Sequence, residues 1–371
     1  NWVFFMAKIN FDDRLKRLEK RRKAKDLSYN LFDSIGTGVT SYSEFTSLQN
    51  KRELWENIST KPSIRYSIGA MQAVDQRYTE IGIETAKRIE NQLKTRLTNH
   101  GLATEYKLQG SVPLDIHIKG VSDVDLLVIH KNHYRSEDCT TLLRNEDIKI
   151  LQQLRNSSFH ELKQAYPAVK IDNTGGKCIS LTGGSLPRDV DVVPSHWVET
   201  NEYKNKGSEY LRGINVLDKK IPTTFLNLPF SHIYWIKLIC QYLTEGSLRK
   251  SIRLCKTIKA DLIDEGSKIT LSSYDLASVM YHANRDNLKN SKNHSLGIVL
   301  ETQRFLDYLY HNPNYAKSLD TPDGTRKIFD SADKLTSLTT LSIALDNLVS
   351  DLCQDLGFSS KESLNFFPLS I

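Results

Sequence analysis

The run Asp123-Val124-Asp125-Leu126-Leu127-Val128-Ile129 constrains this chain more than any other stretch. After its two acids it is apolar at every position, with no alternation. A strand of that kind is covered on both faces and lies in the middle of a sheet. The chain therefore reads as α+β: a mixed sheet flanked by helices, followed by a mostly helical C-terminal half. Expected strands are 105–108, 123–129, 169–173, 177–181 and 189–193. Residues 71–98 carry Val74, Tyr78, Ile81, Ile89, Leu93 and Leu97 at helical spacing. Further helices are expected over 145–165, 230–246, 248–264, 273–283, 295–311 and 337–355.

The acids heading this strand point to chemistry. Residues two apart on a strand face the same way, about 6.6 Å apart along the backbone. Asp123 and Asp125 can thus reach one cluster of divalent ions. Just upstream lies Leu108-Gln109-Gly110-Ser111-Val112-Pro113. Glycine lets backbone amides approach a phosphate, and the Ser111 hydroxyl can donate to it. A third acid follows in Arg188-Asp189-Val190-Asp191-Val192-Val193-Pro194, which reads as a strand running into a stop. Asp191 is the preferred third ligand, and Asp189, on the same face, is its competitor. Two-metal phosphoryl transfer needs ions about 3.5–4 Å apart, one for the attacking oxygen and one for the leaving group. Mg²⁺ suits carboxylate and phosphate oxygens, and Mn²⁺ can replace it. The combination predicts nucleotidyl transfer.

With 371 residues, 39% hydrophobic and 25% charged, the chain is long enough for about two domains at roughly 100–200 residues each. No apolar run approaches the roughly 18 residues of a membrane span, and a cytoplasmic location is expected. The five cysteines are scattered without a Cys-x-x-Cys pair, against a zinc finger or a disulfide framework. Residues 14–25 hold eight bases and one acid, so the rest of the chain is near neutral. That segment reads as a solvated basic helix within 10–34, or as a contact to nucleic acid or a partner protein. The expected division is 1–64, a basic helix and loop region packing on the core; 65–215, the catalytic core; and 216–371, a helical domain closing the cleft. His117 is expected to be structural, and Trp197 to pack in the core or between domains.

The spacing Gly110-Ser111…Asp123-x-Asp125…Asp191 resembles the DNA polymerase β-like nucleotidyltransferase superfamily. Arg253-Leu254-Cys255-Lys256 followed by Leu271-Ser272-Ser273-Tyr274 is similar to the matching stretch of cyclic GMP–AMP synthase, the oligoadenylate synthetases and bacterial CD-NTases. Leu319-Asp320-Thr321-Pro322-Asp323-Gly324 is similar in style to the bacterial members. The resemblance spans roughly residues 70–330. It implies that Lys256 meets the triphosphate, Ser273 hydrogen-bonds it and Tyr274 stacks on the donor base. From the residues alone, Lys256 could equally be a solvated helix residue, and Ser272-x-x-Asp275 reads as a capping box. Two departures stand out. Val112-Pro113-Leu114-Asp115-Ile116-His117 replaces the short helix with a threonine found in many relatives, and the cysteine-rich zinc insertion of animal DNA sensors is missing. The resemblance further implies a template-independent enzyme making a cyclic or linear oligonucleotide signal in bacterial antiviral defence, read by a downstream effector protein. The alternatives are an untemplated polymerase or terminal transferase acting on RNA, DNA or a protein hydroxyl, and a catalytically silent nucleotide-binding scaffold.

Overall fold

The computed structural model describes residues 9–23, 51–138 and 141–369. Its helices are α1 Phe11–Lys23, α2 Pro62–Met71, α3 Gln76–Asn99, α4 Thr141–Ala165, α5 Asn201–Lys206, α6 Pro229–Leu238, α7 Ser247–Asp264, α8 Ser273–Tyr281, α9 Arg285–Asn290, α10 Ser295–His311, α11 Pro313–Ser318 and α12 Ala332–Leu356. The strands are β1 Thr104–Gln109, β2 Val124–Ser136, β3 Lys170–Asp172, β4 Ile179–Thr182, β5 Val190–Glu199, β6 Gly213–Asp218 and β7 Thr223–Asn227. The expected basic helix is present up to Lys23; its remainder lies outside the described residues.

The seven strands form one mixed sheet in the order β1-β2-β5-β4-β3, with β6 joining β5 and β7 joining β6. Among the described residues, only β2 and β5 run parallel. β2 is the expected central strand, and its continuous apolar run has a double explanation. Val124, Leu126 and Val128 pack with residues of α3 and α4, whereas Leu127 and Ile129 pack with Trp197, Ile214 and Val216.

Several details differ from the sequence reading. The helix expected over 71–98 begins later. Asp75 caps α3 by accepting the Arg77 N–H at 2.9 Å, and Val74 sits before the cap, packed against Tyr78 and Ile81. Pro194 does not stop β5 but lies within it. On one edge, β5 changes partner from β4, last paired at Val192, to β6, first paired at Ser195. A residue without an N–H in that gap removes no ladder bond on that edge. β6 and β7 were not anticipated, and the sheet continues to Asn227, past the expected boundary at 215.

The N-terminal segment also sits elsewhere than expected. Phe11 and Leu15 of α1, Trp55, and Ile64, Tyr66 and Ile68 of α2 share a core with α7, α8, α10 and α12. They belong to the helical half rather than to the sheet. Charge fixes α1 there. Arg14 donates to Glu265 at 2.8 Å, and Arg21 donates to Asp261 at 2.7 Å and to Asp264 at 2.8 Å. Arg17 pairs with both Asp261 and Glu265. Three of the segment's bases therefore face acids of the same chain.

Candidate active site

The expected acids meet where β2 and β5 begin. Asp125 and Asp191 are register partners in the parallel pair, so their side chains leave one face of the sheet side by side. Asp123 precedes β2 directly. All three line a cavity of about 440 Å³, together with Gly110, Ser111, Lys256, Ser273 and Tyr274. Asp189 does not line it; its Oδ1 accepts the Gly183 N–H at 3.3 Å. Of the two acids of that segment, Asp191 is the one that lines the cavity.

Burial and like charge together set the electrostatics. Burial, then Asp191, then Asp123, push the Asp125 carboxyl up to about 7, against a smaller opposing pull from Lys256. Asp191 is oriented from β4: the Ser180 hydroxyl donates to its Oδ1 at 2.6 Å, and the Cys178 thiol lies 3.5 Å from its Oδ2. Neither residue was singled out beforehand. Their signal was the alternation of small polar side chains on the neighbouring strand.

The Gly110-Ser111 turn is built around Asp125. Gly110 has φ +76°, and a Cβ there would collide with the Asp125 carboxylate. Only glycine satisfies both the left-handed backbone and the close approach.

Lys256 is buried, not a solvated helix residue. Its ammonium donates to the Ile116 carbonyl at 2.9 Å and to Ser122 Oγ at 3.1 Å. Desolvation lowers its pKa to about 7 although Asp125 pulls the other way. One and two turns earlier on α7, Arg253 donates to the carbonyls of Asp115 and Met71 at 2.6 and 2.7 Å, and Arg249 to that of Leu114 at 3.0 Å. Three bases on one helix face therefore hold the segment 114–116.

Opposite the acids, Ser272 caps α8 in the expected box: its hydroxyl accepts the Asp275 N–H at 3.0 Å, while Asp275 accepts the Ser272 N–H at 2.9 Å. Ser273 opens the helix beside the cavity. Tyr274 donates its hydroxyl to Asp323 Oδ2 at 2.5 Å, and His232 stacks against its ring at 3.9 Å between centroids. His232 and Asp323 line the same cavity. Asp323 lay in a segment noticed for its style alone, and His232 had no local signal. His117 is buried beside Thr79, 3.0 Å from Nε2, and burial holds its pKa down to about 3. It does not line the cavity, in keeping with a structural role. Trp197 packs against Phe230 under the Arg212 guanidinium.

Residues 241–349 match the cGAS/DncV-like nucleotidyltransferase C-terminal helical domain. The chain is 42% identical over 356 residues to a cyclic dinucleotide synthase CdnE of Yersinia aleksiciae, covering 93% of each chain. It belongs to the CD-NTase family. It is therefore a template-independent nucleotidyltransferase that uses nucleoside triphosphates and, like the family, depends on metal. A c-di-GMP synthase of Capnocytophaga granulosa is 31% identical over 339 residues, covering 80% of this chain and 93% of the relative. The solved structure of a STING-associated CdnE c-di-GMP synthase from the same organism matches this CD-NTase with a TM-score of 0.70 at 27% identity, over 94% of this chain and all of the other. Among the described residues, no helix is long and apolar enough to cross a membrane.

Proposed function

We propose that this CD-NTase joins two nucleoside triphosphates into a cyclic dinucleotide, a signal in bacterial antiphage defence read by a downstream effector protein. The single observation that carries the reading is the pairing of Asp125 with Asp191 in register, with Asp123 two residues upstream, beside the Gly110-Ser111 turn. Three carboxylates around an open cavity form an all-oxygen donor set that suits Mg²⁺ or Mn²⁺. Their mutual repulsion favours such cations further. Asp123, Asp125 and Asp191 would hold two Mg²⁺ ions, which when bound neutralise phosphate charge and activate the acceptor hydroxyl.

The chain's own groups account for the remaining steps. Gly110 and Ser111 bind the triphosphate by amide and hydroxyl donation. Lys256, whose charge burial disfavours, is held in its charged form as phosphate arrives. Ser273 adds a donor at a helix N-terminus, where anions are favoured. Tyr274, with His232 stacked on it, forms the aromatic wall for the donor base. A 2′ or 3′ hydroxyl of the second nucleotide attacks the α-phosphorus, the bond to the β-phosphate oxygen breaks, and pyrophosphate leaves. A second round closes the ring.

The engagement of Arg14, Arg17 and Arg21 with acids of α7 and the residue after it supports a small nucleotide acceptor over a nucleic-acid primer on 14–25. A cytoplasmic location fits the use of nucleoside triphosphates. The test is incubation of the whole chain with all labelled NTPs and dNTPs and Mg²⁺ or Mn²⁺, with mass analysis of the products. Short phosphatase-resistant dinucleotides are expected. Ladders would establish the polymerase alternative, and no pyrophosphate release at all would leave the silent scaffold.

A further inference from the structure

A second constellation lies on the other face of the sheet. His133 on β2, Asp147 on α4 and His196 on β5 are 8%, 0% and 0% exposed, and one ligand atom from each lies within 4.8 Å of the others. Register places the group well away from the acids. His196 pairs with His130 five residues beyond the Asp125–Asp191 pair, about 16 Å along the strands, and an odd spacing puts it on the opposite face. Between His130 and Tyr134 the β2–β5 register shifts. That irregularity re-aims His133, whose ring meets His196 edge-on at 4.7 Å between centroids.

The hydrogen bonding within this group is incomplete in a telling way. His196 Nδ1 lies 2.9 Å from the Trp197 carbonyl, so Nδ1 carries the proton and Nε2 presents its lone pair. That lone pair faces Asp147 Oδ2 at 3.5 Å, and neither atom has a hydrogen-bond partner. Two buried acceptors directed at one another are unfavourable unless a proton or a metal ion lies between them, and 3.5 Å is long for a charge-assisted hydrogen bond. Ligands at about 2.0–2.1 Å in a tetrahedral arrangement stand about 3.3 Å apart, close to the gap found here. An imidazole whose other nitrogen donates to a carbonyl is also the arrangement that orients a metal ligand. Asp147 Oδ1 is taken by His133 Nε2 at 2.6 Å and approached by Arg135 Nε at 3.0 Å, which leaves Oδ2 free for the ion.

We propose that His133, Asp147 and His196 bind one zinc-class transition ion that fastens α4 to the β2–β5 pair. Two imidazoles and one carboxylate suit such an ion, whereas the all-carboxylate cleft suits Mg²⁺. On binding, the proton shared by His133 Nε2 and Oδ1 leaves to solvent, and Nε2 becomes the third ligand. Water fills the fourth position. The role is structural, since the ion is remote from the cavity.

The experiment uses the whole chain, stripped with chelator and then loaded with Zn²⁺ or Co²⁺. Metal analysis after gel filtration should find about one zinc per chain. The Co²⁺ form should show the visible absorption of a four-coordinate site, and Zn²⁺ should raise the Tm of the stripped protein. His196→Gln should lose the zinc and the Tm rise together, while Asp125→Asn, which alters the cleft, should retain both. Should His196→Gln fail to fold, the Co²⁺ spectrum of the unmutated chain decides alone. A stripped chain that takes up no zinc, or whose zinc departs with Asp125→Asn but not with His196→Gln, overturns the proposal.

Discussion

At the scale of single residues, Asp125 sits where its surroundings oppose its charge. Its carboxyl titrates near 7 because burial and two neighbouring acids oppose its charge. The folded state therefore holds a proton that the unfolded chain has lost between about pH 4 and 7, and stability falls as pH rises through that window. Asp125→Asn should raise the stability of the metal-free protein at pH 8 by about 1 kcal/mol, near 2 °C in Tm. The same change, like Asp123→Ala or Asp191→Ala, should lower pyrophosphate release by about 10³-fold, or about 4 kcal/mol. Calorimetry and a phosphate-coupled assay on one preparation would expose both effects. Gly110→Ala makes a separate test. Its methyl displaces the Asp125 carboxylate, so activity should drop by about 10²-fold while the helical content by circular dichroism stays unchanged.

Among the elements, α7 and the β2–β5 pair decide the site. Arg253 holds two carbonyls from within the core, and Arg253→Met should cost about 2–3 kcal/mol in urea unfolding. Arg249→Gln, which affects one carbonyl, should cost less. Legibility in the sequence also divides by element. The buried strand, the acids at its head and the Ser272 cap were readable because each signal is local: continuous apolarity, period two, a capping box. β6 and β7 were not, since Gly213–Asp218 and Thr223–Asn227 are short strands flanking a polar turn and read as a linker. Pro194 misled because its tolerance depends on where one partner strand ends and another begins. His232 and the His133–Asp147–His196 group gave no signal, because what joins them is tertiary contact and a register shift.

For the whole molecule, the notable fact is how firmly the N-terminal helices are built into the helical half. The acids of α7 and the residue following it receive α1, and Asp261 alone accepts from Arg17, Arg21 and the Tyr66 hydroxyl. Asp261→Asn should therefore destabilise the chain by about 3 kcal/mol, measured as a lowered denaturation midpoint. Burial raises the Glu265 pKa, but Arg14 and Arg17 outweigh it and hold the carboxyl below its ordinary 4.5. The stability this provides is complete above that value and disappears as pH falls through the lower folded one. Tm curves of Glu265→Gln and the unaltered chain should thus converge in acid and separate toward neutrality. The grip of Arg249, Arg253 and Lys256 on residues 114–116 has a consequence for traffic. The part of the cavity wall formed by Leu114 and Ile116 is hung from the helical half, so swinging the halves apart would tear that wall loose. Nucleotides should then enter and leave without the halves parting along this seam.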